Sequence, residues 1–116
     1  MSRVRWHVQR SGARLVLARC LPAHFDVAVE TTLPSAGRER VAQQIRQDLW
    51  RALRRQHGYS PVVEVVSCED GLRVRAGGRI ATARFSRAKV EARIADVLEA
   101  PDNRRRWVLR AGGRGA

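Results

Sequence analysis

The sequence predicts an α+β protein, a two-layer sandwich in which a mixed, mostly antiparallel sheet carries two helices on one face. Two segments have apolar residues at three- and four-residue spacing, which makes them amphipathic helices in need of an apolar surface to cover. Most other apolar residues alternate with polar ones in short runs, giving half-buried strands whose sheet has one apolar and one polar face. The β-branched run Val62-Val63-Glu64-Val65-Val66 marks a central strand. A helical layer on a one-sided sheet satisfies all three observations.

Taken in order, Val4, Trp6 and Val8 share one side of a strand over residues 3 to 9, with Arg3, Arg5, His7 and Gln9 on the other. Ser11-Gly12 is a turn, and Leu15 to Cys20 reads as the returning strand of a hairpin that Leu21-Pro22 ends. Phe25, Val27 and Val29 alternate with Asp26, Ala28 and Glu30 in a third strand stopping near Leu33-Pro34. Val41, Ile45, Leu49, Ala52 and Leu53 then line one face of a helix from about Gly37 to His57, with Ser35 as N-cap and Gly58 as the stop. After the Val62 to Val66 strand, Glu69-Asp70-Gly71 is a hairpin turn, and Leu72, Val74 and Ala76 alternate with Arg73 and Arg75. Gly77-Gly78 is a second turn signal, and Arg79 to Phe85 reads as a further strand of poor parity. Ser86 caps a second helix with Val90, Ile94, Val97 and Leu98 on one face, ending before Pro101. Asp102 onward reads as a final edge strand with a frayed tail, the alternative being a basic arm throughout.

The resulting order is an N-terminal β-hairpin followed by a ferredoxin-like βαββα succession. Residues 1–110 form a single basic α+β domain and 111–116 a flexible C-terminal tail, a size that suits one core. Ala13 to Leu21 is interrupted by Arg14 and Arg19 and followed by Pro22, so it is neither a signal segment nor a membrane span, and a cytoplasmic protein is expected.

Charge carries the functional signal. The chain has 23 Lys and Arg against 11 Asp and Glu, a formal net charge of +12, and Lys89 is its one lysine. Codon usage in a GC-rich genome replaces Lys by Arg, but does not by itself produce an excess of base over acid. That excess favours partners carrying phosphate or clustered carboxylate, phospholipid surfaces included. Catalysis finds no support: no nucleophile with its base and no convergent carboxylates are evident, and Gly77-Gly78 lacks the ending of a phosphate loop. Asp26 and Glu30 face the same way on one strand but lack further ligands. Cys20 and Cys68 are isolated, and His7, His24 and His57 are scattered and read as surface or turn residues, so neither metal nor cofactor is expected.

Three basic surfaces follow from periodicity. The strand pleat sends Arg3, Arg5, His7, Arg73 and Arg75 to the solvent face of the sheet; the first helix presents Arg40, Arg51, Arg54 and Arg55 interleaved with Gln43, Gln44 and Gln47; and the C-terminal segment offers Arg104, Arg105 and Arg106 beside Trp107. Guanidinium groups fork onto phosphate and stack on bases, so the expected function is a small non-enzymatic nucleic-acid-binding protein of low sequence specificity. RNA or single strands are favoured because a sheet face offers stacking platforms, with Tyr59, Trp107 and Trp50 as the available aromatics. The alternative is an assembly subunit docking on an acidic protein partner through the first helix, with Trp50 as anchor beside Arg54 and Arg55.

Overall fold

The computed structural model describes residues 5–113. Eight elements follow one another: β1 (His7–Ser11), β2 (Arg14–Ala18), β3 (Val27–Leu33), α1 (Arg38–Ala52), β4 (Tyr59–Cys68), β5 (Gly71–Ile80), α2 (Arg87–Glu99) and α3 (Pro101–Arg110). The strands form one five-stranded sheet in the order β1-β2-β4-β5-β3, with every neighbouring pair antiparallel. The two-layer α+β sandwich is therefore present, but the sheet is antiparallel and not mixed, and its helical layer has three members. The βαββα succession is present as β3-α1-β4-β5-α2, but the strand order of the sheet differs from a ferredoxin-like one: β5 lies between β3 and β4, no strand among the described residues pairs with the outer edge of β3, and the β1-β2 hairpin extends the sheet beyond β4.

The expected final strand is a helix for local reasons. Pro101 stands at its first position, where a missing N–H costs nothing, Asp102 lies in the first turn and Arg110 in the last, each matching the helix dipole. Helical pitch turns Trp107 and Val108 into the core and leaves Leu109 exposed. Ala111, expected in a flexible tail, is buried and its carbonyl accepts the Gly37 N–H, while the Gly113 N–H donates to the Val108 carbonyl. Residues 114–116 of the expected tail lie outside the described residues.

Other boundaries shift for equally local reasons. Gly37, not Ser35, is the N-cap of α1, and its backbone N–H is occupied by the end of α3. α1 stops at Ala52, because the Gln56 N–H bonds back to the Leu53 carbonyl three residues earlier, a tighter turn that leads to Gly58. There φ is +74° and the chain reverses into β4. Ser86 does cap α2, its hydroxyl accepting the Lys89 N–H at 3.3 Å. Pro61 is tolerated in β4 because β2 pairs only with Val62 to Val66, so no strand lies opposite its missing N–H on that side.

Gly77-Gly78 is not a turn. Both residues lie inside β5, paired with β3 and β4, and the strand ends at Ile80 without a further strand over residues 81–85. A Cβ on Gly77 would stand 2.0 Å from the Val27 carbonyl oxygen, and one on Gly78 2.2 Å from that of Ser60. Glycine is therefore required by the close approach of three backbones.

The core lies between sheet and helices. Leu15, Leu17, Val63, Val65, Val74 and Val27 from the strands meet Val41, Ile45 and Leu49 of α1, Ile94 and Leu98 of α2, and Trp107 of α3. Trp6 and Val8 pack against this cluster as the hairpin alternation requires. Phe25 does not. It joins Ala23 in covering Val16, Ala18 and Val62 on the opposite face, so the connection from β2 to β3 crosses the open side of the sheet. Asp26 breaks the alternation between Phe25 and Val27: its N–H donates to the Gly78 carbonyl and its carboxylate accepts the Ile80 N–H at 2.7 Å.

Two predictions follow. Gly77→Ala should lower stability by about 1–3 kcal/mol, the range for overpacking, read as a lower urea midpoint at unchanged m-value. The hydrogen bond from Ile80 holds the Asp26 carboxyl below the usual carboxylate range against the opposing effect of burial, with His24 adding to the lowering. A depressed folded pKa stabilises fully above the unfolded value of about 3.9 and is lost as pH falls through the lower folded value. Asp26→Asn should therefore be less stable than the parent at neutral pH, with the difference closing below about pH 4; a difference that persists there would contradict the assignment.

Candidate functional site

The excess of base over acid becomes informative once the acids are located. Asp48 of α1 accepts both the Trp107 indole N–H and an Arg106 N–H, each at 2.7 Å. Glu39 pairs with Arg10, tying α1 to β1, and Glu64 pairs with Arg14 across β4 and β2. Glu91 of α2 accepts the Ala28 N–H at 3.0 Å, and Glu99 accepts the Thr31 hydroxyl. These last contacts sit along β3, the unpaired sheet edge, where the Thr32 carbonyl also accepts from Arg104. Side chains so placed blunt an edge that would otherwise recruit another strand.

Several expected contact residues are consumed in this way. Arg104 donates to the Thr31 hydroxyl and the Leu98 and Thr32 carbonyls, and Arg106 to Asp48 and Asn103. Trp107 is fully buried and Tyr59 nearly so, which leaves neither ring a face for a base. Burial also pushes the Tyr59 hydroxyl well above its usual pKa. Arg105 alone of that basic triplet is exposed. Gln44 leaves the expected solvent face of α1, since its side-chain amide donates to the Trp107 carbonyl at 2.9 Å.

The open sheet face is less basic than its pattern suggests. Arg73 and Arg75 are exposed on it as expected, but Arg75 stands in register with Glu30 on one side and Glu64 on the other. Its guanidinium lies 4.4 Å from the centre of the Phe25 ring in the crossing connection. Arg5 is exposed just ahead of β1, and Arg3 lies outside the described residues. On the same face a cleft of about 530 Å³ contains His24, Asp26 and Arg79, with the His24 ring 2.7 Å from the Asp26 carboxylate. Among the described residues, no three His, Cys, Asp or Glu side chains gather to hold a metal.

The other end of the helical layer differs. Arg51, Arg54 and Arg55, in the last turn of α1 and just beyond it, are exposed, as are Arg87, Lys89 and Arg93 in the first half of α2. None of these six makes a side-chain hydrogen bond or ion pair among the described residues. Between the helices lies a cleft of about 220 Å³ lined by Leu53, Arg55, Gln56, Lys89, Val90 and Arg93. Arg40 is exposed in the first turn of α1, away from this end. Lys89 and Arg93 escaped the sequence reading because the charges of α2 cancel in sum. Arg87, Lys89 and Arg93 precede Asp96 and Glu99, and Glu91, which lies among them, is drawn away to the Ala28 N–H.

Trp50 is 42% exposed on α1, one helical turn from Arg46 and from Arg54. Arg46 is itself half-buried, its guanidinium 4.6 Å from the centre of the Trp6 ring, and burial lowers its pKa. No helix among the described residues is long and apolar enough to cross a membrane. No family model, no curated protein and no solved structure matches the chain.

Proposed function

We propose that the chain is a non-enzymatic nucleic-acid-binding protein that holds backbone phosphates at the end of its helical layer where α1 finishes and α2 begins. The observation carrying this reading is that Arg51, Arg54, Arg55, Lys89 and Arg93 are exposed there without acidic partners, while Glu39, Asp48, Glu91 and Glu99 of the same helices bond elsewhere and Asp96 alone of their carboxylates is left exposed without a bond among the described residues. Cations that no internal partner neutralises repel one another, and a polyanion relieves that cost. Guanidinium contacts to phosphate position a nucleic acid without reading its bases, so sequence specificity is low.

Single strands or RNA are preferred on narrower ground than the sheet pattern suggested. With Trp107 and Tyr59 in the core and Phe25 under Arg75, Trp50 remains as the ring able to stack on a base beside these cations. Fluorescence anisotropy with mixed-sequence RNA, single-stranded DNA and duplex DNA over a salt series tests the proposal. Binding should weaken along a log-log slope of about 0.7 per phosphate contacted on single strands and about 0.9 on duplex, and loss of all binding above low salt would end the reading.

One observation favours a second reading. Trp50 with Arg54 one turn away is also the residue pair of a protein contact, an aromatic anchor beside a cation. Trp50→Ala should weaken single-strand binding by about 1–3 kcal/mol if it stacks on a base. If it instead releases a co-purifying acidic protein and leaves nucleic-acid affinity unchanged, the chain is a docking subunit.

A further inference from the structure

We infer that the cleft between the end of α1 and the first half of α2 seats a single backbone phosphate, and that the helical end of the molecule, not the open sheet face, is its contact surface. This rests on the nucleic-acid reading and gives it a location. Three cations reach the cleft from two elements, Arg55 from the turn after α1 and Lys89 and Arg93 from successive turns of α2, and no carboxylate lines it. Two larger clefts among the described residues each contain an acid, Asp70 in one and Asp26 in the other. An anion entering either would meet a like charge.

The floor is rigid. Leu53 and Val90, 1% and 4% exposed, belong to the main core, so the cations stand around a fixed apolar base. Their fixed neighbours leave them nothing else to do. The Leu53 and Gln56 N–H groups already satisfy the Leu49 and Leu53 carbonyls, and no arginine side chain caps the end of α1. The first turn of α2 has no acid, so Arg87 and Lys89 sit against the unfavourable end of the helix dipole. Mutual repulsion and that dipole term both weaken when an anion binds between them. Phosphate fits, since it accepts from several N–H donors at once and guanidinium groups meet it in a fork.

The test compares two charge-matched double variants by anisotropy on fluorescein-labelled single-stranded DNA of mixed sequence. Lys89→Ala with Arg93→Ala should weaken binding about tenfold or more, as expected for charged hydrogen bonds, and lower the log-log salt slope by about 0.7, the value for one phosphate. Arg19→Ala with Arg79→Ala, which removes the same charge from the crossing connection and the open face, should change affinity less than about twofold. Lys89→Arg with Arg93→Lys should keep affinity, and near-ultraviolet circular dichroism should show both alanine pairs folded. The inference is overturned if the two alanine pairs lose affinity equally, if the cleft pair binds like the parent, or if its slope falls by about 1.4, which means separate phosphates. Failure of the parent to bind any nucleic acid, with retention of an acidic protein, would remove the underlying reading instead.

Discussion

Trp107 enters the core only because Asp48 meets its indole N–H. A buried indole without an acceptor carries a desolvation cost of about 1–3 kcal/mol, and the same carboxylate oxygen also takes Arg106. The pair fixes α3 against α1, and the Gln44 amide on the Trp107 carbonyl and the Ala111 carbonyl on the Gly37 N–H extend that contact toward the start of α1. Much else follows from this docking. α3 meets α1 from Gly37 through Gln44 to Asp48 and meets α2 at its C-terminal end, while the end of α1 and the first half of α2 face each other across an open cleft.

The same docking sorts the charges. A chain with 11 acids and 23 bases cannot neutralise all of its surface, so where the acids go decides which surface stays cationic. Here five of them go to joints: Asp48 to α3, Glu39 to β1, Glu64 to the β2-β4 pair, and Glu91 and Glu99 to the exposed edge of β3. Each of these bonds serves packing or edge protection, and together they withdraw negative charge from the far end of the helical layer. Arg104 and Arg106 are spent in the same structural work, so the C-terminal basic triplet contributes Arg105 alone to the exposed surface.

Periodicity made the strands and the first two helices legible, because residues such as Val41, Ile45 and Leu49, or Leu72 and Val74, are buried for the same reason that they recur. It failed where a few local contacts overrule it. Gly77-Gly78 looks like a turn in sequence, and what makes it a strand interior is the approach of Val27 and Ser60 from two neighbours, which only the fold brings together. The phase slip at Asp26 has the same origin. The segment after Pro101 was misread because Trp107-Val108-Leu109 resembles a strand fragment, while the helix signals, Pro at the first position with Asp after it and Arg at the end, stood in plain sequence. As to the site, the Arg residues after α1 were legible from the helical wheel. Their partners Lys89 and Arg93 were not, since no sequence spacing relates the end of one helix at Ala52 to the start of another at Arg87.

Codon bias of a GC-rich genome would favour Arg over Lys but would have no bearing on where the carboxylates sit. If composition alone had shaped this surface, acids and bases would alternate on the exposed helix faces, as they gain a few tenths of a kcal/mol at one-turn spacing. Instead Arg54 and Arg55, just past α1, have no acid four residues earlier, those positions being filled by Trp50 and Arg51. α2 opens on Arg87 and Lys89 against its dipole when the reverse charge order would stabilise it. α2 thus gives up local stability at the end it brings up to the Arg residues that finish α1, and an anion bound between them is the condition under which that cost and their mutual repulsion are offset.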